Sequence, residues 1–358
     1  MSKQIGRRPC RPCRPSALFL ATLASSVLWL DPHAARASDP VPIYRVSKTV
    51  TLGAPDRWDY VVFDPASRRV FIAHGDEVTV VSADDGAVAG HIRGLPGGPH
   101  GIAIAGSSGR GYTDDGKAGE AVSFDLRTLA VERHIKAAAD ADAVVFDPFS
   151  KHVFVVNGGT GTLTVIDPAA DRALAEIAIQ GGLEFAVADG RGNLYVNGAE
   201  RQELVRVDTR GNSVTARWPL PECTKPHGLA IDPALQRLFV SCVNNVLVVV
   251  DAQSGKVVST LPIGSGTDAA AFDPVRKLVF SSNGRDGTIT VIREIDGQTY
   301  AAAGSIGTAV SARTMAIDPV SGRLYVAAAE VAPDQAPGSA HRAIVPGSLK
   351  LLFLDPVP

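Results

Sequence analysis

The chain has 358 residues, a net charge of −2 and a high content of glycine and proline. This length would normally suggest two domains, although a repeated fold can use it as one unit. The slight negative charge argues against nucleic-acid binding, which depends on neutralising phosphates with Lys and Arg. Many short apolar segments separated by Gly and Pro are typical of an all-β protein.

The first 37 residues are typical of an export signal. Basic residues from Lys3 to Arg14 precede an apolar run, Ser16 to Leu30, and Ala35-Arg36-Ala37 offers a cleavage motif. The apolar run is short for a transmembrane helix, so a membrane anchor is the less favoured alternative. We therefore predict a signal peptide over 1–37, one domain over 38–358, no membrane span after cleavage, and a periplasmic or secreted location. Cleavage would remove six Lys/Arg and one Asp and take the net charge to −7.

A repeat of about forty residues runs through the rest of the chain. An apolar strand, Asp-Pro and a second apolar strand recur, as in Val144–Pro148 and Leu229–Pro233. The shared Asp position falls at 64, 105, 147, 189, 232, 273 and 318, with weaker copies at 105 and 189. Each copy holds four strand candidates, such as 227–232, 237–242, 246–251 and 256–263, and both strand faces are apolar. The repeat predicts an all-β, seven-bladed β-propeller of four-stranded antiparallel blades.

The two ends of the repeat region predict how the ring closes. The last copy lacks an outermost strand, and Arg45–Gly53 resembles that strand in other copies, such as Lys256–Gly264. We expect it to pair beside Leu349–Leu354 and so complete the last blade. Pairing of this kind removes an open sheet edge that would invite aggregation.

The strand sequences also carry a family resemblance. Val153–Gly158, Leu163–Asp167 and Leu194–Asn197 resemble the YVTN-repeat β-propellers, and Tyr44 to Leu354 resembles their YncE-like group. The resemblance implies an exported WD40/YVTN-like propeller. Some members of the family are similar to nucleic-acid binders, surface-layer proteins or lactonases. This chain departs from the pattern in its second copy, which lacks Asp-Pro, and in a long insertion in the last copy.

The repeat register gathers ionisable residues at one face. Five residues before the Asp position, the seven copies carry Asp59, His100, Asp142, Glu184, His227, Asp268 and Arg313. Equivalent loops of a propeller share a face, so we expect this ring at the mouth of the central channel. At the ends of the second strands, His74, Asn157 and Asn283 are further ligand candidates. The alternative is that these groups cap strand ends and hold turn backbone.

Two kinds of metal site are compatible with these residues. Carboxylates with Asn suit a divalent cation such as Ca²⁺ or Mg²⁺, and the candidates are Asp59, Glu184, Asn157, Asp268 and Asn283. A transition metal would use His100 and His227, although these lie three copies apart. Crowded carboxylates should raise one another's pKa. Trp58, Tyr60 and Phe185 flank the mouth, where they would stack on a ligand or pack between blades.

Two further features lie near the same face. Cys223 and Cys242 belong to one predicted hairpin, and we expect a disulfide between them rather than two separate buried thiols. Segment 330–347 interrupts the last blade with three prolines. It would act as a lid, as a partner arm or as a solvated insertion.

These features favour a monomeric binding or scaffold protein that engages a small ligand, a metal ion or a protein partner at the channel mouth. The alternative is a metal-dependent lactone or ester hydrolase, similar to gluconolactonase-like propellers. There, Glu184, Asn157, Asn283 and Asp268 would hold the cation and supply a base. No Gly-rich phosphate loop and no nucleophile-elbow motif occurs in the sequence. Single-stranded nucleic acid would need a basic groove with aromatics, which the charge disfavours.

Overall fold

A computed structural model describes residues 43–332 and 343–357, which form an all-β propeller of seven four-stranded antiparallel sheets. The first strands of neighbouring sheets contact one another around the axis, so each sheet is one blade of a ring. The predicted seven-bladed fold is confirmed. The predicted signal peptide lies outside the described residues.

The strands follow one another from the axis outward in each blade. The chain begins with β1 (Ile43–Thr51). Blade 1 contains β2 (Trp58–Asp64), β3 (Arg69–His74), β4 (Glu77–Ser82) and β5 (Val88–Ile92); blade 2 contains β6 (Ile102–Ala105), β7 (Arg110–Asp115), β8 (Glu120–Asp125) and β9 (Val131–Lys136). Blade 3 contains β10 (Ala141–Asp147), β11 (His152–Asn157), β12 (Thr162–Asp167) and β13 (Arg172–Ala178); blade 4 contains β14 (Leu183–Ala188), β15 (Asn193–Gly198), β16 (Glu203–Asp208) and β17 (Ser213–Pro219).

The remaining three blades repeat this order. Blade 5 contains β18 (Pro226–Asp232), β19 (Arg237–Cys242), β20 (Val246–Asp251) and β21 (Val257–Pro262); blade 6 contains β22 (Ala270–Asp273), β23 (Leu278–Asn283), β24 (Thr288–Glu294) and β25 (Tyr300–Gly307). Blade 7 contains β26 (Thr314–Ile317), β27 (Leu324–Ala328), β28 (Lys350–Val357) and, as its outermost strand, β1. Two short 3₁₀ turns, Gly106–Ser108 and Gly116–Ala118, lie in blade 2.

The recurring Asp-Pro is a turn between the first and second strands of a blade. The Asp232 carboxylate accepts a hydrogen bond from the backbone N–H of Ala234 at 2.8 Å, and Asp273 and Asp318 bond Val275 and Val320 in the same way. This side-chain bond mimics a backbone turn, and proline presets the backbone angle that the turn requires. The second copy has Ala105 at this position. There the 3₁₀ turn makes the connection and ends at Gly109, whose positive φ of 73° suits glycine.

The ring closes through the first strand, as predicted. β1 pairs antiparallel with β28 from Ile43 opposite Val357 to Thr51 opposite Lys350, with a bulge between Val46 and Lys48. Most of β1 is exposed, but Tyr44 is buried and its ring meets Phe280 edge-on at 5.5 Å. The strand therefore covers the outer edge of β28, which would otherwise offer unpaired backbone groups.

The apolar core lies between the blades. The second and third strands are buried on both faces, and their side chains form clusters that join neighbouring blades, such as Phe154 of blade 3 with Val196 of blade 4. The outermost strands alternate between exposed and partly buried residues, as in β17. Within the described residues, no helix is long and apolar enough to span a membrane.

Candidate functional site: an axial cup

The mouth of the central channel is a cavity of about 210 Å³, which we call the axial cup. Its lining residues are Asp59, Tyr60, Asp142, Glu184, Phe185, His227, Asp268 and Arg313. Six of the seven predicted ring positions are in this lining, and the seventh, His100, places a ligand atom within 4.8 Å of those of Asp59 and Asp142. The structure brings these residues together because each precedes or begins the innermost strand of its blade.

Two stacked aromatic rings are part of the lining of the cup. Tyr60 of blade 1 and Phe185 of blade 4 stack with centroids 4.3 Å apart and an interplanar angle of 23°. The Tyr60 hydroxyl is buried and has no hydrogen-bond partner among the described residues. Burial, reinforced by the nearby carboxylates, raises the pKa of Tyr60 well above its ordinary value, so the hydroxyl keeps its proton. The third predicted aromatic, Trp58, packs between blades 1 and 7, with the Arg313 guanidinium 5.3 Å from its ring.

One side of the cup is an ion-pair network. His227 Nε2 lies 2.7 Å from Asp268 Oδ1, and Arg313 Nε lies 3.3 Å from Asp268 Oδ2. Burial alone would raise the pKa of Asp268, but His227 and Arg313 outweigh it and lower that pKa. Burial likewise opposes protonation of His227, yet Asp268 and Glu184 raise its pKa to about 9. Two cations thus share the single carboxylate of Asp268, and His227 also faces Glu184.

The other side holds two carboxylates, those of Asp59 and Asp142, without such partners. Neither Asp59 nor Asp142 makes a side-chain hydrogen bond or ion pair with any described residue, although both are partly buried. The pKa of Asp59 is raised to about 7, mainly by burial and further by the carboxylates of Asp268 and Asp142. The pKa of Asp142 is also raised to about 7, mainly by burial and further by the carboxylate of Glu184. The nearest cation to Glu184 is His227, with Nδ1 3.6 Å from Oε1. This side therefore has a surplus of acidic groups.

His100 is held by a buried carboxylate that the sequence analysis did not single out. Asp114 accepts hydrogen bonds from the backbone N–H of His100 and of Gly101, and its Oδ2 lies 3.0 Å from His100 Nδ1. Arg57 Nη2 lies 2.6 Å from His100 Nε2. This pattern requires Nδ1–H to donate to Asp114 and Nε2 to accept from Arg57.

Protonation of His100 would therefore displace Arg57. Burial opposes a charge on the imidazole, but Asp114, Asp59 and Asp142 raise the pKa of His100 to about 9. Burial also raises the pKa of Asp114, to about 6, even though His100 and the two backbone donors counteract it. An Nε2 proton would face the guanidinium donor, so the contact with Arg57 persists only while Nε2 is unprotonated.

Three predicted ligands lie inside their own blades instead of the cup. His74 bonds Thr79 Oγ1 at 2.9 Å and the backbone oxygen of Pro55 at 2.7 Å. The Asn157 side-chain amide donates to Thr162 and Thr164, and that of Asn283 donates to Thr288 and Thr290. All three side chains are fully or almost fully buried.

The residues predicted to bind a cation, in a binding protein or in a hydrolase, therefore do not all lie in the cup. Asp59, Glu184 and Asp268 line the cup, whereas Asn157 and Asn283 do not. Among the described residues, the group of candidate ligands whose atoms all lie within 4.8 Å of one another is Asp59, His100 and Asp142. His227 is not part of it, because its two ring nitrogens face Asp268 and Glu184.

The structure also describes the predicted disulfide and the base of the predicted insertion. The disulfide Cys223–Cys242 is confirmed, with both residues buried and Cα atoms 5.3 Å apart. It anchors the loop that leads to His227. The base of segment 330–347 is tied by a bridge between Val331 and Ile344 and by hydrogen bonds from the backbone of Gly347 and Leu349 to Asp56. Residues 333–342 of this segment lie outside the described range.

Comparison with known proteins supports the fold and nothing finer. No protein-family model and no curated protein matches the chain. Among solved structures, Kuenenia stuttgartiensis hydrazine synthase is similar over 80% of this chain and 94% of that chain, with a TM-score of 0.65 and 14% sequence identity. At this identity the similarity establishes a shared propeller fold alone. Membership of the YVTN-repeat or YncE-like proteins stays a prediction.

Proposed function

We propose that this protein is an exported binding propeller whose axial cup holds a small cation. The carrying observation is the pair Asp59 and Asp142, two carboxylates that face one cavity without a hydrogen-bonded or ion-paired partner among the described residues. Glu184 adds a third carboxylate whose nearest cation stands 3.6 Å away. Charges gathered in a partly buried cavity attract an opposite charge more strongly than exposed ones do.

The export half of this proposal rests on two separate features. Disulfides persist in oxidising compartments, and Cys223–Cys242 is present. The first 37 residues carry the sequence pattern of a signal peptide.

Binding is better supported than hydrolysis. A gluconolactonase-like site would combine Glu184, Asp268, Asn157 and Asn283, but the two amides are engaged with Thr side chains inside their blades. Asp268 is committed to His227 and Arg313. No observation in the cup favours a nucleophile or a general base over a binding role.

The test is a titration of purified protein at pH 8 with divalent metal chlorides, small primary amines and, as anions, sulfate and acetate. We expect saturable binding of a cation and none of the anions by calorimetry. The double variant Asp59→Asn/Asp142→Asn should weaken cation binding at least about tenfold, which is about 1.4 kcal/mol.

The matched control removes two exposed carboxylates elsewhere, Glu176→Gln/Glu222→Gln. It should bind the cation as the wild type does. Equal loss in both double variants would assign binding to net charge and not to the cup. Binding of anions but not cations would overturn the proposal.

A further inference from the structure

We infer that the cation is a divalent first-row transition-metal ion held by Asp59, His100 and Asp142, with Asp114 as the residue that positions His100. This inference rests on the proposed cation binding in the axial cup. It narrows the ligand from cations in general to one class of metal ion and narrows the site from the whole cup to three side chains.

The first support is the distance between the ligand atoms. Asp59, His100 and Asp142 each offer one atom, and these atoms lie within 4.8 Å of one another. Bonds of about 2.1 Å to one tetrahedral ion place its ligand atoms about 3.5 Å apart. The gap of about 1 Å is within the reach of side-chain rotation, and neither Asp59 nor Asp142 has a partner among the described residues that would resist it.

The second support is the hydrogen-bonding of His100. A metal-bound histidine usually gives its other ring N–H to a carboxylate, which fixes the tautomer and the ring orientation. Asp114 takes this position, 3.0 Å from Nδ1, and is itself held by the backbone N–H of His100 and Gly101. Nε2 is then the nitrogen left for a metal ion.

The third support is the group that contacts Nε2 in this structure. The guanidinium of Arg57 lies 2.6 Å from His100 Nε2, so a cation already occupies the position next to the nitrogen that would bind a metal ion. The Arg57 side chain is exposed and has no other side-chain hydrogen bond or ion pair among the described residues. It can therefore swing into solvent when a metal ion arrives. Arg57 is a competitor for the site and not a ligand.

The donor set decides the class of metal. One imidazole with two carboxylates suits Zn²⁺ and its first-row neighbours, whereas Ca²⁺ prefers six to eight oxygen ligands. Three protein ligands also leave a coordination position that faces the cup. Tyr60, whose buried hydroxyl lacks a partner among the described residues, also lines the cup.

The experiment is a titration of chelator-treated protein with ZnCl₂, CoCl₂ and CaCl₂, followed by calorimetry and, for Co²⁺, by visible absorption. We expect one Zn²⁺ per chain, a Co²⁺ spectrum of a nitrogen–oxygen site, and Ca²⁺ at least tenfold weaker. Asp142→Asn and His100→Gln should each weaken Zn²⁺ binding at least 100-fold. Asp114→Asn should weaken it by about 10- to 100-fold and alter the Co²⁺ spectrum.

Two further variants make the assignment specific. Glu184→Gln removes the same charge from the same cup but no ligand, and should weaken Zn²⁺ binding about threefold at most. Arg57→Gln removes the competitor and should strengthen binding a few-fold. Within the part of the chain that the structure describes, neither Asp142 nor Glu184 makes a side-chain hydrogen bond, although Glu184 is ion-paired with His227. Circular dichroism checks that each variant remains folded.

The outcomes separate this inference from the proposed function. Tighter binding of Ca²⁺ than of Zn²⁺, equal losses in the Glu184 and Asp142 variants, or weaker binding in the Arg57 variant would overturn the three-residue metal site. Saturable binding of amines without any metal binding would overturn the metal inference and leave the proposed function standing. No saturable binding of any cation would overturn both.

Discussion

Glu294, at the end of β24, ties the stability of the fold to pH. Its side chain is 1% exposed; Oε1 accepts a hydrogen bond from the Tyr300 hydroxyl at 2.9 Å, and Lys277 Nζ stands 3.6 Å from Oε2. Burial has the largest effect on the pKa of Glu294 and raises it. The hydrogen bond from Tyr300 lowers this pKa and the neighbouring Asp232 raises it, so that it lies at about 7. The folded state therefore favours the protonated carboxyl.

We expect Glu294→Gln to stabilise the protein above neutral pH. The pKa is raised on folding from 4.5 to about 7. Stability from this group is therefore fully present below pH 4.5 and is lost as the pH rises through 7. At pH 8 the variant should be more stable by about 2 kcal/mol, and near pH 5 the gain should fall away. Urea unfolding at both pH values measures this. Glu176→Gln, an exposed control, should show no such dependence, and a gain that is the same at pH 5 and 8 would contradict the assignment.

At the same scale, the sequence predicted the ring of the cup but not the contacts around it. The seven ring residues, from Asp59 in the first copy to Arg313 in the last, occupy the same position of the sequence repeat. The repeat period alone therefore predicted that they lie together. Asp114 lies one residue before Asp115, which ends the second strand of its blade. Successive strand residues point to opposite faces, so a shift of one residue places Asp114 beside His100 while Asn157 and Asn283 face Thr side chains. The spacing of the repeat does not show which residue at the end of a second strand points its side chain towards the cup.

Among the structural elements, the hairpin of β18 and β19 carries a covalent constraint. Cys223 precedes β18 and Cys242 ends β19, 19 residues later. A crosslink that closes a loop of this length stabilises by limiting the unfolded chain.

Replacement of both cysteines by alanine should therefore lower the free energy of unfolding by about 3 kcal/mol. Denaturant unfolding with and without a reductant provides the measurement. Reductant should destabilise the wild type by a similar amount and leave Cys223→Ala/Cys242→Ala unaffected. A double variant as stable as the oxidised wild type would show that this crosslink contributes nothing.

Strand positions within a blade were largely predictable. Predicted segments 237–242 and 246–251 coincide with β19 and β20, and 256–263 exceeds β21 by one residue at each end. Asp-Pro and Ser-Gly turns fix these limits, because the residues set the backbone angles of the turn. Blade 2 had the weaker signal since its first turn uses Gly106–Ser108 in place of the Asp side chain.

At the scale of the whole molecule, closure of the propeller ring depends on β1, a strand of nine residues of which most are exposed. β1 is mostly exposed, yet it pairs along the full length of β28. Its contribution is to cover an edge and, through Tyr44, to reach Phe280 of blade 6.

A chain that lacks residues 43–51 should melt at a lower temperature and associate, because the edge of β28 becomes available to another copy. Size-exclusion chromatography and thermal unfolding test this. A synthetic peptide of the β1 sequence, added in trans, should restore the monomer and raise the melting temperature, whereas a scrambled peptide should not. An unchanged, monomeric truncated chain would show that the ring does not need this strand.

The stacked rings of Tyr60 and Phe185 have a consequence for passage along the central channel. They come from blades three positions apart and meet 4.3 Å from centre to centre, so the two rings touch across the central channel. Nothing can pass between two rings in van der Waals contact, so passage along the axis would require Tyr60 and Phe185 to separate.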